Sequence, residues 1–152
     1  MAFISGHRDI TEEEFETHYA PGIKEYARQG YSFVVGDCEG CDKMAAELIS
    51  LIISAFPEKN ITLNIYHMLQ EPRFRVGSLC TDGVWRVEPL LSNKQAKNWP
   101  EVRYIGGFKT DEARDAAMTA ASDVDIAFIR DKSKWKSGTA QNLYRRHLMN
   151  ND

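Results

Sequence analysis

Ser32-Phe33-Val34-Val35-Gly36-Asp37-Cys38-Glu39-Gly40-Cys41-Asp42 is the stretch on which the fold turns. Residues 32–35 form a short apolar run stopped by a glycine, as expected of a strand buried on both faces. Directly after the turn, residues 41–56 carry Met44, Ala45, Leu48, Ile49, Ile52 and Ile53 at helical spacing, and Pro57 closes the helix. A buried strand that passes through a glycine turn into an amphipathic helix is the repeating unit of layered α/β proteins.

The same unit recurs on either side. Residues 2–5 read as a buried strand ending at Gly6, and a helix opens at Thr11. Thr11 and Glu14 form a capping-box pattern, and Glu12 and Glu13 suit the positive end of a helix. Phe15, Tyr19, Ile23 and Tyr26 give that segment one apolar face, which Pro21-Gly22 should break or kink. Downstream, residues 61–68 read as a third strand. Residues 110–122 read as a helix capped by Thr110, 125–129 as a further strand and 137–149 as a closing helix. Between Leu69 and Phe108 the periodicity fades. An insertion is expected at about 72–104, with a hairpin at Thr81-Asp82-Gly83, because Asp-Gly favours a tight turn. Its Trp85 and Trp99, with Phe74, suit either a small satellite core or the cover of a pocket or oligomer interface.

With 152 residues the chain has the length of one domain carrying an insertion. A hydrophobic share of 43% against 27% charged residues places it among globular chains rather than disordered ones. The net charge of −3 supplies no general electrostatic footprint for nucleic acid, which is therefore not an expected partner. The longest apolar-rich stretch, 44–56, is interrupted by Glu47 and Ser50 and is too short to span a bilayer, so no membrane partner is expected. No secretory leader is evident in MAFISGHRD, and three cysteines do not make a paired disulfide framework. The expected location is cytoplasmic.

Parallel α/β sheets bind ligands beyond the carboxyl ends of their strands. Here those ends are loops rich in glycine and ionisable residues. The first reads Ser5-Gly6-His7-Arg8-Asp9: Gly6 permits close backbone approach, and His7 and Arg8 suit an anion, although an ordinary turn with solvated charges has the same composition. In the second, Gly36 and Gly40 bracket a strand-to-helix turn containing Asp37, Glu39 and Asp42. It matches neither the dinucleotide fingerprint nor the P-loop, and its acidity suits ribose hydroxyls better than phosphate. The last loop leads into Ser137-Gly138-Thr139-Ala140-Gln141-Asn142, where small hydroxyl residues and a glycine open a helix, either to cradle a phosphate or simply to cap. Cys38 and Cys41 form a C-x-x-C at a helix start, a placement shared with thiol redox centres. With His67 and Cys80 they also make a weak zinc pattern. Filling small positions in a tight loop is the plainer alternative. No metal and no resident cofactor are expected.

Four of these motifs in order resemble the SLOG superfamily, the Rossmann-like group that includes the DNA-processing protein A and the LOG proteins. They are Ser5-Gly6-His7-Arg8-Asp9, Gly36 to Asp42, Arg114-Asp115-Ala116-Ala117-Met118, and Asp125-Ile126-Ala127-Phe128 followed by Ser137-Gly138-Thr139. The nearest likeness is to small bacterial and phage members of uncertain function. The resemblance implies a doubly wound, largely parallel sheet with helices on both faces. It also implies a nucleotide-type ligand, such as NAD, ADP-ribose or a nucleoside phosphate, at the carboxyl edge. The LOG motif Pro-Gly-Gly-x-Gly-Thr-x-x-Glu is incomplete, because Asn142 stands at the offset of its glutamate.

Two functions follow from the resemblance. In a binding module or sensor, Gly6, Arg8, Gly36, Gly138 and Thr139 would cradle phosphate and backbone, with Ser5, Gly40, Ser137 and Asn142 in the same loops. Asp37, Glu39 or Asp42 would hold ribose hydroxyls, and Arg114 a second phosphate. In an N-glycosidic hydrolase or transferase, of the phosphoribohydrolase or deoxyribosyltransferase kind, a carboxylate must stabilise or attack an oxocarbenium-like carbon. Glu39 is the first candidate for that carboxylate and Asp115 the second, with His7 as acid or base. The absent glutamate tips the balance towards binding. The tryptophan-bearing insertion is compatible with a homo-oligomer.

Overall fold

The computed structural model describes residues 1–91, 95–131 and 137–150. The chain runs β1 (Ala2–Ser5), α1 (Glu12–His18), α2 (Ala20–Arg28), β2 (Phe33–Val35), α3 (Cys41–Ala55) and β3 (Leu63–Met68). It continues through β4 (Ser78–Leu79), β5 (Trp85–Arg86), β6 (Val102–Phe108), α4 (Asp111–Ala121), β7 (Val124–Ala127) and α5 (Gly138–Asn150). Five strands form one parallel sheet in the order β6-β3-β2-β1-β7, and β4 and β5 pair separately as an antiparallel hairpin. This is a Rossmann-like, doubly wound α/β fold. Among the described residues no helix is long and apolar enough to cross a membrane.

Side-chain alternation along the strands divides the interior in two. Ala2, Ile4, Phe33, Val35, Leu63 and Ile65 join the large core with Phe15, Tyr19 and Ile23 of the first helical segment and Ala45, Ile49 and Ile53 of α3. Phe3, Val34 and Tyr66 point the other way and meet Met118 of α4. The closing helix lies on this second face. Its buried Arg146 reaches both Asp125 carboxylate oxygens at 3.2 Å and the Ser122 carbonyl at 2.6 Å, fixing α5 against β7 and the end of α4.

The sheet order creates a switch point. The chain steps outward through β2, β3 and β6, then returns to place β7 on the far side of β1. After β1 it continues into α1 and α2 on one face, and after β7 into α5 on the other. Tyr19 defines where the two strands part. Their pairing ends at Ser5 opposite Ala127. There the fully buried Tyr19 hydroxyl donates to the Ser5 carbonyl at 2.8 Å and accepts the Phe128 N–H at 2.9 Å. Burial, reinforced by the adjacent Cys41 thiol, pushes the phenol's pKa up, so it stays protonated. The residue sits at the break between α1 and α2. Thr11 caps α1 reciprocally with Glu14, and Pro21 lies in the first turn of α2. Gly6 makes room for this arrangement, because a Cβ there would fall 2.5 Å from Cys41 Sγ and 2.6 Å from the Tyr19 hydroxyl.

The irregular stretch expected over 72–104 is shorter than the sequence pattern suggests. Val102–Phe108, within the region of faded periodicity, is a full strand of the main sheet. It lies at the sheet edge, and Gly106 and Gly107 interrupt its side-chain pattern. Gly106 is required by the His67 ring, which packs where its Cβ would stand. The hairpin turns through Thr81-Asp82-Gly83, and a bridge between Arg86 and Glu101 ties it to the start of β6. Phe74 is buried in the large core, and Trp85 meets Tyr104 edge-on at 6.2 Å.

Tyr19→Phe keeps the ring and deletes both hydroxyl bonds. It strands the Ser5 carbonyl and the Phe128 amide, at an expected cost of about 2–3 kcal/mol. Urea unfolding would show a lower midpoint at unchanged slope. A loss under about 0.5 kcal/mol would mean that the hydroxyl does not hold the strand ends.

Candidate functional site

At the switch point, on the α4 and α5 side of the sheet, lies a cavity of about 290 Å³. Phe3, Ile4 and Ser5 form its floor. Gly6, His7 and Arg8 form one lip, and Gly36, Cys38 and Asp42 another. Asp111, Arg114, Asp115 and Met118 of α4 and Gly138, Thr139 and Asn142 of α5 make the walls. The structure therefore brings together Ser5, Gly6, His7, Arg8, Gly36, Asp42, Arg114, Asp115, Gly138, Thr139 and Asn142 from four separated segments.

Four residues singled out in the sequence stand apart from this lining. Glu39 is at the tip of its turn, its side chain 65% exposed and 3.8 Å from Lys43, so the first candidate carboxylate for glycosidic chemistry is not at the cavity. Gly40 has φ +82°, and a Cβ there would strike the Arg8 carbonyl oxygen at 2.2 Å. With the Cys41 N–H donating to the His7 carbonyl at 3.3 Å, Gly40 zips the first two loops together. Asp37 is buried beneath the cavity. Ser137 caps α5, its Oγ accepting the Ala140 N–H at 3.2 Å. Residues 132–136 of the last loop lie outside the described residues.

Arg114 organises the charges. Its Nη1 donates to Asp37 Oδ1 at 3.0 Å, with side chains only 5% and 3% exposed. Its Nε and Nη2 each lie 3.3 Å from Asp115 Oδ1, and Asp111 is 3.5 Å away. Burial opposes the charge on Arg114, but Asp115, Cys38 and Asp42 outweigh it and its pKa rises. The guanidinium is thus engaged by protein carboxylates. Asp37 Oδ2 also accepts the Arg73 N–H at 3.1 Å, so the loops that follow β2 and β3 are joined beneath the cavity.

Asp42 lies in the first turn of α3. Its Oδ2 accepts the Cys38 N–H at 3.1 Å and occupies the space that a Cβ on Gly36 would need. Burial pushes its pKa from 3.8 up to about 7, with Asp115 and Asp37 adding to the rise and the Cys38 N–H and Arg114 opposing it. Burial likewise raises Asp115, against the pull of Arg114. Two polar atoms facing this region, Ser5 Oγ and His7 Nε2, are buried with no hydrogen-bond partner among the described residues. Ser5 is 7% exposed, and its side chain leaves β1 on the same face as Phe3, towards the cavity.

The two loop cysteines occupy different surroundings. Cys38 lines the cavity, 3.2 Å from Arg73 Nη1 and 3.8 Å from Arg114. Cys41 packs behind Gly6 beside Tyr19, where burial and Asp42 push its pKa up. Both are free thiols. Among the described residues no group of three or more histidines, cysteines or carboxylates could hold a metal ion.

Asp111 and Met118 join the site without having been singled out as site residues, although a helical signal was present. Asp111, Asp115 and Met118 are spaced by four and three residues, as neighbours on one helix face must be. No family model, curated protein or solved structure matches the chain.

Arg114→Met should cost about 3–5 kcal/mol in urea unfolding, because Asp37 remains buried beside only the more distant Arg73 side chain. Adding Asp37→Asn should recover about half of that loss, and failure to recover any would disconnect the two residues energetically. Asp42 makes a pH-dependent contribution. Between its ordinary value of 3.8 and about 7 the folded chain holds a proton that the unfolded chain has released, so this group lowers stability as pH rises through that window. Asp42→Asn should remove that decline, giving a flatter stability profile from about pH 5 to 7. Parallel wild-type and variant profiles would show that Asp42 does not titrate there.

Proposed function

We propose that the chain is a binding module for a nucleotide-derived ligand, with the ligand's ribosyl part seated in the switch-point cavity. The observation that carries this is Ser5 Oγ, a buried hydroxyl aimed into the cavity with no partner among the described residues. An unpaired buried polar group costs about 1–3 kcal/mol, and a ligand that completes it recovers that cost on binding. The carboxylates of Asp42 and Asp115 face the same space and suit sugar hydroxyls. Beside Asp115, Gly138 opens α5, and among the described residues a Cβ there would meet only Asp115 Oδ2, at 4.0 Å. The absent side chain leaves room for a ligand. The resemblance of the four loop motifs to the SLOG superfamily supports the same class.

At about 290 Å³ the cavity lies at the small end of the roughly 300–1,000 Å³ typical of organic ligand sites. That volume suits one nucleoside unit, and any further part of a dinucleotide would lie outside it.

A thermal-shift panel of nucleosides, mononucleotides, ADP-ribose and NAD tests the proposal. A ligand at about a hundred times its Kd adds about 2.7 kcal/mol, or roughly 5–10 °C for a chain of this size. Gly138→Val is the companion variant. It should leave the free protein within about 1 kcal/mol of wild type, since no described residue crowds that position, and abolish the ligand-induced shift. No shift from any ligand would overturn the proposal.

A second function, hydrolysis or transfer at an N-glycosidic carbon, is favoured by one observation: Asp115 places a largely buried carboxylate on the cavity wall. Chromatography of each shifted ligand should then reveal free base, and Asp115→Asn should stop its release while binding persists. Release undiminished in that variant would remove Asp115 from the chemistry.

A further inference from the structure

The cavity has the usual devices for holding an anion, yet apart from the exposed Arg8 at the lip they already have protein partners. Arg114 gives its guanidinium to Asp37, Asp115 and Asp111. At the positive end of α5, which would ordinarily attract a phosphate, Ser137 Oγ accepts the Ala140 N–H at 3.2 Å and Asp115 Oδ2 stands 4.0 Å from where a Cβ on Gly138 would lie. Among the described residues two cations, Arg8 and Arg114, line the cavity against the carboxylates of Asp111 and Asp115 and the partly protonated Asp42. The layer beneath, Asp37 with Arg73, adds one charge of each sign. Of the lining cations only Arg8, an exposed residue at the lip, has no carboxylate partner among the ion pairs of the described residues. The unsatisfied buried groups of the cavity-lining residues are a hydroxyl and an imidazole nitrogen, Ser5 Oγ and His7 Nε2.

From this charge balance, and resting on the ligand class proposed above, we infer that the cavity selects an uncharged ribosyl ligand, a nucleoside, over its diphosphate and over pyrophosphate-linked dinucleotides. The Asp42 and Asp115 carboxylates accept hydrogen bonds from sugar hydroxyls, and Ser5 and His7 bond the remaining polar edge of the ligand. A pyrophosphate brought to the same walls would face the Asp111 and Asp115 carboxylates and the partly protonated Asp42, with no uncommitted buried cation among the described residues. The selection is made by repulsion as much as by fit.

Isothermal titration of the full chain at low ionic strength tests this, using adenosine, guanosine, cytidine and uridine, their 5′-diphosphates, ADP-ribose and NAD. At least one ribonucleoside should bind about tenfold or more tightly than its own diphosphate, with an affinity nearly independent of salt. Asp115→Asn removes one lining charge near the start of α5, so it should narrow that ratio by about threefold or more. A diphosphate, ADP-ribose or NAD binding as tightly as the nucleoside, or more tightly, would overturn the selectivity while leaving the ligand class intact. No binding by any compound would overturn the ligand class itself, and the selectivity with it.

Discussion

The Tyr19 hydroxyl is the contact on which the architecture of the site depends. A parallel sheet without it would leave the ends of β1 and β7 with unanswered backbone groups at the point where the strands separate. One buried phenol satisfies both, donating to Ser5 and accepting from Phe128. The price is space, met by Gly6 and by the small Cys41 side chain behind it. The glycine that looks in sequence like a ligand-cradling residue is thus demanded first by packing from the opposite face. The break between α1 and α2 follows from the same need, since it sets Tyr19 beneath the strand ends.

A second constraint lies on the other face. Asp37, Asp42 and Asp115 surround Arg114, and no member can be removed without leaving another exposed to a poorly solvating interior. Such a network is costly to assemble and rigid once formed. It joins the turn after β2 to the first turns of α4, so the cavity wall and the sheet edge behave as one body. Outside it, Arg130 holds Glu14 at 2.8 Å and Asp9 at 3.3 Å, and its hydrogen bonds lower the pKa of both carboxyls. That clasp links the first and last loops across the switch point, with its charges in contact with water.

Much of the fold was readable because strand, glycine and helix follow one another with clear changes of period. Thr11 with Glu14, and Thr110 ahead of Asp111, mark helix starts that the hydrogen bonds realise. β6 was not readable, because an edge strand with Gly106 and Gly107 lacks the apolar run of a central one. Most of the cavity lining could be named in advance, the loop residues because the carboxyl ends of parallel strands mark the ligand edge, and Arg114 and Asp115 through the resemblance of their helix segment. Sequence could not rank the acids of the second loop. Glu39 and Asp42 differ by less than one helical turn, yet one is solvated at the tip and the other buried in the first turn of α3. Asp125 with Arg146 was equally hidden, because a buried ion pair between residues 21 positions apart leaves no local pattern.

The parity of β1 carries a wider consequence. Ala2 and Ile4 pack into the large core, whereas Phe3 packs into the smaller one and Ser5 follows it towards the cavity, where Ile4 also forms part of the floor. Neighbouring codons of one short strand therefore answer to different pressures. Substitution at the even positions is felt by the whole molecule, while the odd positions near the carboxyl end retune the cavity floor. A designer reshaping the cavity can rewrite Ser5 and keep the large-core packing of Ile4, a two-beat grammar written into the strand.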